Sequence, residues 1–350
     1  MDRQLHGGDT YGHPSALDFS SNTSPLGLPE SVQAALAGSV GDWDGYPDPL
    51  CRDLTAAIAA ADGVPAAWVH CGNGAADLIF RVAQALRPRR ALTLAPTFSE
   101  YEYALAAAGC ETAFHPLHET DNFALTDTIL GKLSPALDLV MLCNPNNPTG
   151  QPADGELLRR ILKKCADCKI TLVVDECFVP FLDEPEAHTL KGELAAHGNL
   201  ILLRAFTKLY AMAGLRLGYL LCANPETIEA VCACEPPWNV SLPAQTAGIA
   251  ALADGEYVSR VREVVKAERK YLAGELQKLG LRVLGSRANY LFFKCNACRD
   301  LDALLEQRGI LIRPCGNFRG LDERFYRAAV KTHAQNERLV EALTEILKGA

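Results

Sequence analysis

Between about Leu50 and Leu220 the chain alternates two hydrophobic patterns. Short runs dominated by apolar residues, Ala91 to Ala95, Leu137 to Leu142, Ile170 to Val174 and Leu200 to Leu203, read as strands buried on both faces. Between them, Leu50 to Ala61, Ala75 to Leu86 and Gly155 to Ala166 carry apolar positions at helical spacing. Strands alternating with amphipathic helices predict βαβ units, hence a large α/β domain around a mostly parallel sheet. After Pro236-Pro237 the pattern changes. Two long helical stretches, Ala244 to Ala253 and Tyr257 to Leu279, precede strand-like segments at Tyr290 to Lys294, Ile310 to Arg313 and Phe325 to Val330, with a last helix from Gln335. The expected division is an N-terminal arm over 1–30 that packs on the small domain, a large domain over 31–237 and a small α+β domain over 238–350.

Composition narrows the class. In 350 residues, 49% are apolar, which is enough for a substantial core and excludes a disordered chain. A formal net charge of −8 leaves no basic surplus to neutralise phosphates, so neither nucleic acid nor a membrane surface is an expected partner. The start, Met-Asp-Arg-Gln-Leu-His-Gly-Gly, carries charges and glycines where a secretory signal is apolar, and no window holds 18 uninterrupted apolar residues. A cytoplasmic protein is the expectation. Thirteen scattered cysteines suit reduced thiols packed as small apolar residues. The pairs Cys165/Cys168 and Cys295/Cys298 have Cys-x-x-Cys spacing, but the first lies in a helical pattern and the second follows a strand, so no metal site is expected.

Four features carry candidate chemistry. Leu202 to Lys208 places one lysine just past an apolar strand, where partial desolvation lowers an amine's pKa and makes it a nucleophile; alone, it could be a solvated loop lysine. Thr171 to Glu176 ends a buried strand in Asp175, at the edge where open α/β sheets bind ligands, although most such acids cap helices. Leu142-Cys-Asn144-Pro145-Asn146-Asn147-Pro148-Thr149-Gly150 is unusually dense in turn formers and predicts a rigid loop at that edge. Gly72-Asn73-Gly74-Ala75-Ala76-Asp77 opens a helix with backbone N–H groups placed for a phosphate, but lacks the third glycine of the dinucleotide fingerprint.

In this order and spacing the four features resemble the aspartate-aminotransferase-like, fold type I enzymes that use pyridoxal 5'-phosphate, over nearly the whole chain. The resemblance implies a seven-stranded, mostly parallel sheet in the large domain. It assigns Lys208 to the covalent attachment of the cofactor and Asp175 to the pyridinium nitrogen, which makes the ring an electron sink. Asn147 matches the asparagine on the ring hydroxyl and Phe98 the aromatic stacked on the ring. Gly74, Ala75, Thr207 and Arg216 match the cradle of the cofactor phosphate. Tyr46, in Tyr46-Pro47-Asp48, matches a tyrosine that reaches the phosphate of the neighbouring subunit, which implies a homodimer with shared sites. Two positions depart from the common pattern: Ala205 stands where many relatives have serine, and Phe178 where many have a tyrosine on the ring hydroxyl.

Within the superfamily the remaining motifs are most similar to the threonine-phosphate decarboxylases of cobalamin biosynthesis, and next to the histidinol-phosphate aminotransferases. Leu5-His6-Gly7-Gly8 and Asp18 to Gly27 resemble the decarboxylase start, which implies substrate-phosphate contacts from His6, Gly7 and Asn22. Ile310-Leu-Ile-Arg313-Pro and Arg324-Phe-Tyr-Arg327 imply that Arg313 grips the substrate phosphate and Arg327 the α-carboxylate. A planar guanidinium suits both anions because it donates two parallel hydrogen bonds. The expected activity is decarboxylation of a small phosphorylated amino acid, with transamination or a serine-phosphate substrate as alternatives.

Overall fold

Residues 6–348 are described by the structure, a computed structural model. A short strand, β1 (Leu17–Asp18), follows the first described residues. The apolar runs then become the centre of a seven-stranded sheet. It contains β2 (Val69–Gly72), β3 (Arg90–Ala95), β4 (Glu111–Pro116), β5 (Leu139–Cys143), β6 (Thr171–Asp175), β7 (Leu200–Ala205) and β8 (Gly218–Leu221). The strand order is β2-β8-β7-β6-β5-β3-β4, with β8 antiparallel to both neighbours and every other pairing parallel. All five β5 residues are buried, since helices cover both faces, and this is why its sequence shows no alternation. The edge strand β4 alternates exposed and part-buried positions over most of its length and gives no comparable apolar run.

The C-terminal edge of this sheet positions the chemistry. Register pairs Cys143 with Asp175 and Asp175 with Leu203, so the Asn144–Gly150 loop, the Asp175 carboxylate and the turn carrying Lys208 leave adjacent strands at one level. The helix Ala75–Leu86 begins there as well, directly after β2, and the helix Gly155–Asp167 is capped by the Asp154 carboxylate accepting from Leu157 N at 2.9 Å.

The C-terminal part carries β9 (Arg282–Leu284), β10 (Tyr290–Lys294), β11 (Ile310–Leu311), β12 (Arg313–Pro314) and β13 (Phe325–Ala329). Four of these form an antiparallel sheet ordered β12-β13-β10-β9. The segment Ile310 to Arg313, read as one strand, serves two sheets: Ile310 and Leu311 pair in parallel with β1, while Arg313 pairs with β13. The arm is thereby tied to the C-terminal part, with Phe19 fully buried in its core.

Helix Leu242–Ala253 packs on helices Glu30–Ser39 and Arg52–Asp62 through small residues. A Cβ on its Gly248 would lie 2.6 Å from Leu217 and 2.7 Å from Leu54. The following helix, Gly255–Lys278, is continuous and joins two cores, burying Tyr257, Val261 and Val265 in the larger and Leu272 and Leu276 in the smaller. The change of pattern after Pro237 is thus first a change of secondary structure, and the change of core comes within this helix. The thirteen cysteines are free thiols, Cys165 and Cys295 buried and Cys168 and Cys298 half-buried. Among the described residues no group of His, Cys, Asp and Glu is arranged to hold a metal, and no helix is long and apolar enough to cross a membrane.

Candidate active site

A cleft with about 920 Å3 of free space lies at the C-terminal edge of β5, β6 and β7, between the two sheets and under residues 6–7 and 20–22 of the arm. Lys208 enters it from the single helical turn Phe206–Leu209 that follows β7. Its Nζ lies 5.9 Å from the centre of the Phe178 ring and has no hydrogen-bond or ion-pair partner among the described residues. Burial, and then the nearby Arg327 guanidinium, hold its pKa down to about 8. An appreciable fraction of this amine is therefore uncharged near neutrality, whereas an exposed lysine is charged throughout.

Asp175 is buried and fixed at both oxygens. Oδ1 accepts from Cys177 N at 3.0 Å and Oδ2 from the Tyr101 hydroxyl at 2.8 Å. Tyr101 is itself fully buried, and burial together with the charge of Asp175 pushes its pKa well up, so the phenol stays a donor. Tyr101 escaped the sequence reading, although it stands one helical turn beyond Phe98 and meets that ring edge-on at 5.6 Å. The i, i+3 spacing of Phe98 and Tyr101 was the available signal.

At the start of helix Ala75–Leu86 two glycines are called for, Gly74 by its positive φ and Gly218 by the backbone packed against it. A Cβ on Gly74, whose φ is +84°, would meet Arg216 Nη2 at 2.7 Å, and one on Gly218 would meet Ala75 N at 2.7 Å. A guanidinium and a helix N-terminus, whose first N–H groups lack intrahelical acceptors, thus converge beside Thr207 in the same cleft.

The antiparallel pairing of β12 and β13 sets Arg313 directly opposite Arg327. Like charges at such a position destabilise a sheet, which argues that an anion is meant to lie before them. Arg327 donates through Nη2 to the Ser20 carbonyl at 2.7 Å and through Nη1 to Asn147 Oδ1. With its amide turned to satisfy its surroundings, Asn22 accepts from Arg327 Nη1 and Nε at 3.2 Å. Arg313 donates to Asn317 Oδ1 at 3.1 Å and lies 5.3 Å from the Phe318 ring centre. Burial works against the charge on both arginines.

His6 is exposed at the rim, with Nε2 2.8 Å from Glu100 Oε1 and its ring 5.8 Å from Phe98. Gly7 lines the cleft so closely against the arm that a Cβ would lie 2.2 Å from the Ser20 carbonyl oxygen. Asn22 touches Arg327 rather than Arg313. Ala205 and Phe178, the two departures from the common pattern, also line the space. Tyr46 does not: it is 79% exposed and stacks on Trp238 at 4.4 Å. Glu100, Asn317 and Phe318 are neighbours of the site that sequence pattern did not single out.

The charge balance is the site's most telling property. Lys208, Arg216, Arg313 and Arg327 all line the cleft, against the single carboxylate of Asp175. None of these three arginines has an ion-pair partner among the described residues.

The chain belongs to the class I and II aminotransferase family, which matches residues 14–343. It is an enzyme of that class dependent on pyridoxal 5'-phosphate, with the fold type I architecture. It is 41% identical over 337 residues to the threonine-phosphate decarboxylase of Salmonella typhimurium, covering 95% of this chain and 92% of that protein. The histidinol-phosphate aminotransferase of Clostridium acetobutylicum superimposes with a TM-score of 0.89 at 32% identity, over 95% of this chain and all of that one. The histidinol-phosphate aminotransferase of Sinorhizobium meliloti, solved in complex with pyridoxal 5'-phosphate, gives a TM-score of 0.85 at 25% identity, over 97% and 93% of the two chains.

Proposed function

We propose that this enzyme decarboxylates L-threonine O-3-phosphate to (R)-1-amino-2-propanol O-2-phosphate, the linker precursor of cobalamin. The observation that carries this reading is the set of three arginines without acid partners among the described residues, Arg313 and Arg327 buried and Arg216 exposed, distributed over one cleft. One cation for the cofactor phosphate, one for a substrate phosphate and one for a substrate carboxylate matches the anionic groups of an amino-acid phosphate. Histidinol phosphate carries no carboxylate and would leave one guanidinium buried without a counter-charge, which is costly.

The residues present fit the cofactor. The close backbone at Gly218 and the helix start at Gly74 and Ala75, with Arg216 and Thr207 alongside, suit its phosphate; Phe98 would cover the ring, and Asn147 would meet its hydroxyl. Asp175 is the acid placed to keep the pyridine nitrogen protonated, and Tyr101 and Cys177 N hold that carboxylate in position. When bound, pyridoxal 5'-phosphate supplies an electron sink for the pair left at the substrate α-carbon. Lys208 is the amine for covalent attachment, and its lowered pKa gives it the free base that attachment requires. Arg327, fixed by Ser20, Asn22 and Asn147, orients the α-carboxylate, while Arg313 holds the phosphate with help from His6 and Gly7 at the rim. Gripping the substrate at both ends decides which bond at the α-carbon is aligned for cleavage.

The proposal includes a homodimer with shared sites. Tyr46 lies outside its own cleft and, with Trp238, presents an exposed aromatic pair to a partner. The deciding experiment incubates the holoenzyme with threonine phosphate, with and without an added 2-oxo acid, and measures CO2 and 2-oxo-acid product. Stoichiometric CO2 that is independent of the oxo acid is expected. Efficient amino transfer from histidinol phosphate to 2-oxoglutarate, with no CO2 from threonine phosphate, would overturn the choice of reaction.

A further inference from the structure

A second concavity, with about 1010 Å3 of free space, opens between β2, the start of helix Arg52–Asp62 and the end of helix Pro225–Ala233. Part of its wall is apolar, including Val69 and Ile228. One side carries chemistry that the amino-acid reaction does not use. Cys232, exposed in the last turn of helix Pro225–Ala233, has its Sγ 3.3 Å from His70 Nδ1. On the other side of the ring, His70 Nε2 lies 3.0 Å from Glu235 Oε2 and 2.8 Å from Arg81 Nη1. Arg81 is held in turn by Asp77 at 2.7 Å, Glu235 at 3.1 Å and the Cys71 carbonyl at 3.2 Å.

Thiol, imidazole and carboxylate in this order are the parts of an activated nucleophile. With both ring nitrogens protonated near neutrality, His70 donates Nδ1–H to the Cys232 sulfur and stabilises its thiolate, while the Glu235 carboxylate balances the ring charge at Nε2. Burial opposes a charge on His70, but its hydrogen bonds to Cys232 and Glu235 outweigh that, and its pKa is pushed up to about 9. Arg81 lowers the cost of holding Glu235 in a partly buried place. The other thiols lack this arrangement: Cys168, Cys234 and Cys298 are half-buried without a histidine partner among the described residues, and the remaining nine are buried.

We propose that Cys232 is a reactive thiol that forms a mixed disulfide with a low-molecular-weight disulfide entering this concavity. Cys232 loses its proton to solvent, its thiolate held beside His70 Nδ1–H, and its sulfur bonds to one sulfur of the incoming disulfide. That disulfide's S–S bond breaks, and its departing sulfur leaves with the electron pair as a thiolate, which takes up a proton from solvent. One protein thiol and one disulfide become one mixed disulfide and one small thiol, so no further oxidant is needed. The apolar wall accommodates the organic part of the reagent.

The test treats the holoenzyme with a substoichiometric aromatic disulfide, dithiobis-nitrobenzoate, follows the released thiolate by absorbance and locates the label by peptide mass mapping. Cys232 should be labelled first, about tenfold or more faster than Cys168 and Cys298 in the same sample, and Cys232→Ser should remove the fast phase. His70→Gln should slow labelling of Cys232 about tenfold while leaving the rates at Cys168 and Cys298 unchanged. If His70→Gln disturbs the fold, seen as labelling of the buried Cys165 or Cys295, Glu235→Gln carries the same comparison. Labelling of Cys232 no faster than Cys168 and Cys298, or a rate indifferent to these substitutions in folded protein, would overturn the proposal.

Discussion

Replacing Arg313 by alanine isolates the phosphate half of the proposed substrate. The side chain is only 7% exposed and has no acid partner among the described residues, so truncation strands no buried carboxylate. It loses the Asn317 hydrogen bond and the Phe318 contact but also removes a like charge directly opposite Arg327. The fold should therefore lose little, and the cost should fall on the ligand. Removing one partner of a buried, hydrogen-bonded charge pair costs roughly 2 to 5 kcal/mol, or about 30- to 5,000-fold in kcat/KM at about 1.4 kcal/mol per tenfold. L-threonine, expected to be a poor substrate, has no phosphate to lose, so its turnover should be almost unchanged and the preference between the two substrates should largely vanish. The assay is CO2 release from threonine phosphate and from threonine by the native enzyme and the variant. An equal loss on both substrates, or a change below about threefold on threonine phosphate, would refute the assignment of Arg313 to the phosphate. Arg327→Ala in the same assay should weaken both substrates alike, because both carry the α-carboxylate.

Tyr101→Phe removes the 2.8 Å hydrogen bond to Asp175 in a fully buried setting. At about 1.5 to 3 kcal/mol for a bond to a charged group, kcat should fall roughly 10- to 150-fold with the cofactor still bound, as read by steady-state kinetics and absorbance. Lys208→Met should stabilise the cofactor-free protein at pH 7. The unfolded chain keeps the lysine proton up to its usual 10.5 while the folded protein releases it at about 8, so the charged amine opposes folding below about 8. That penalty fades between about 8 and 10.5, and thermal melts of the two proteins should converge over this window. Mixing inactive Lys208→Ala chains with inactive Tyr46→Ala chains should restore activity in heterodimers; full activity in a monomer would contradict shared sites.

Much of the large sheet and the landmarks of the cleft were legible as pattern. A strand covered on both faces must be apolar nearly throughout, so β3, β5, β6 and β7 announced themselves. The residues just past them had no packing reason to be Asp175, Asn147 or Lys208, which made them candidates for chemistry. Edge strand β4 lacked the signal because one face meets solvent, and the run Ile310 to Arg313 gave no hint that it divides between two sheets.

What pattern could not supply is proximity between segments distant in the chain. Tyr101 becomes a partner of Asp175 only when helix Glu100–Ala107 docks beside β6, and Asn22 and Asn147 meet around Arg327 from separate segments. Arg313 and Arg327 look like two unrelated surface charges until β12 and β13 pair in register. Cys232, His70 and Glu235 likewise come from β2 and the end of helix Pro225–Ala233. Local preferences and burial are written in near neighbours along the chain, whereas the charge excess of the cleft is a sum over distant segments that exists only once packing has removed them from water.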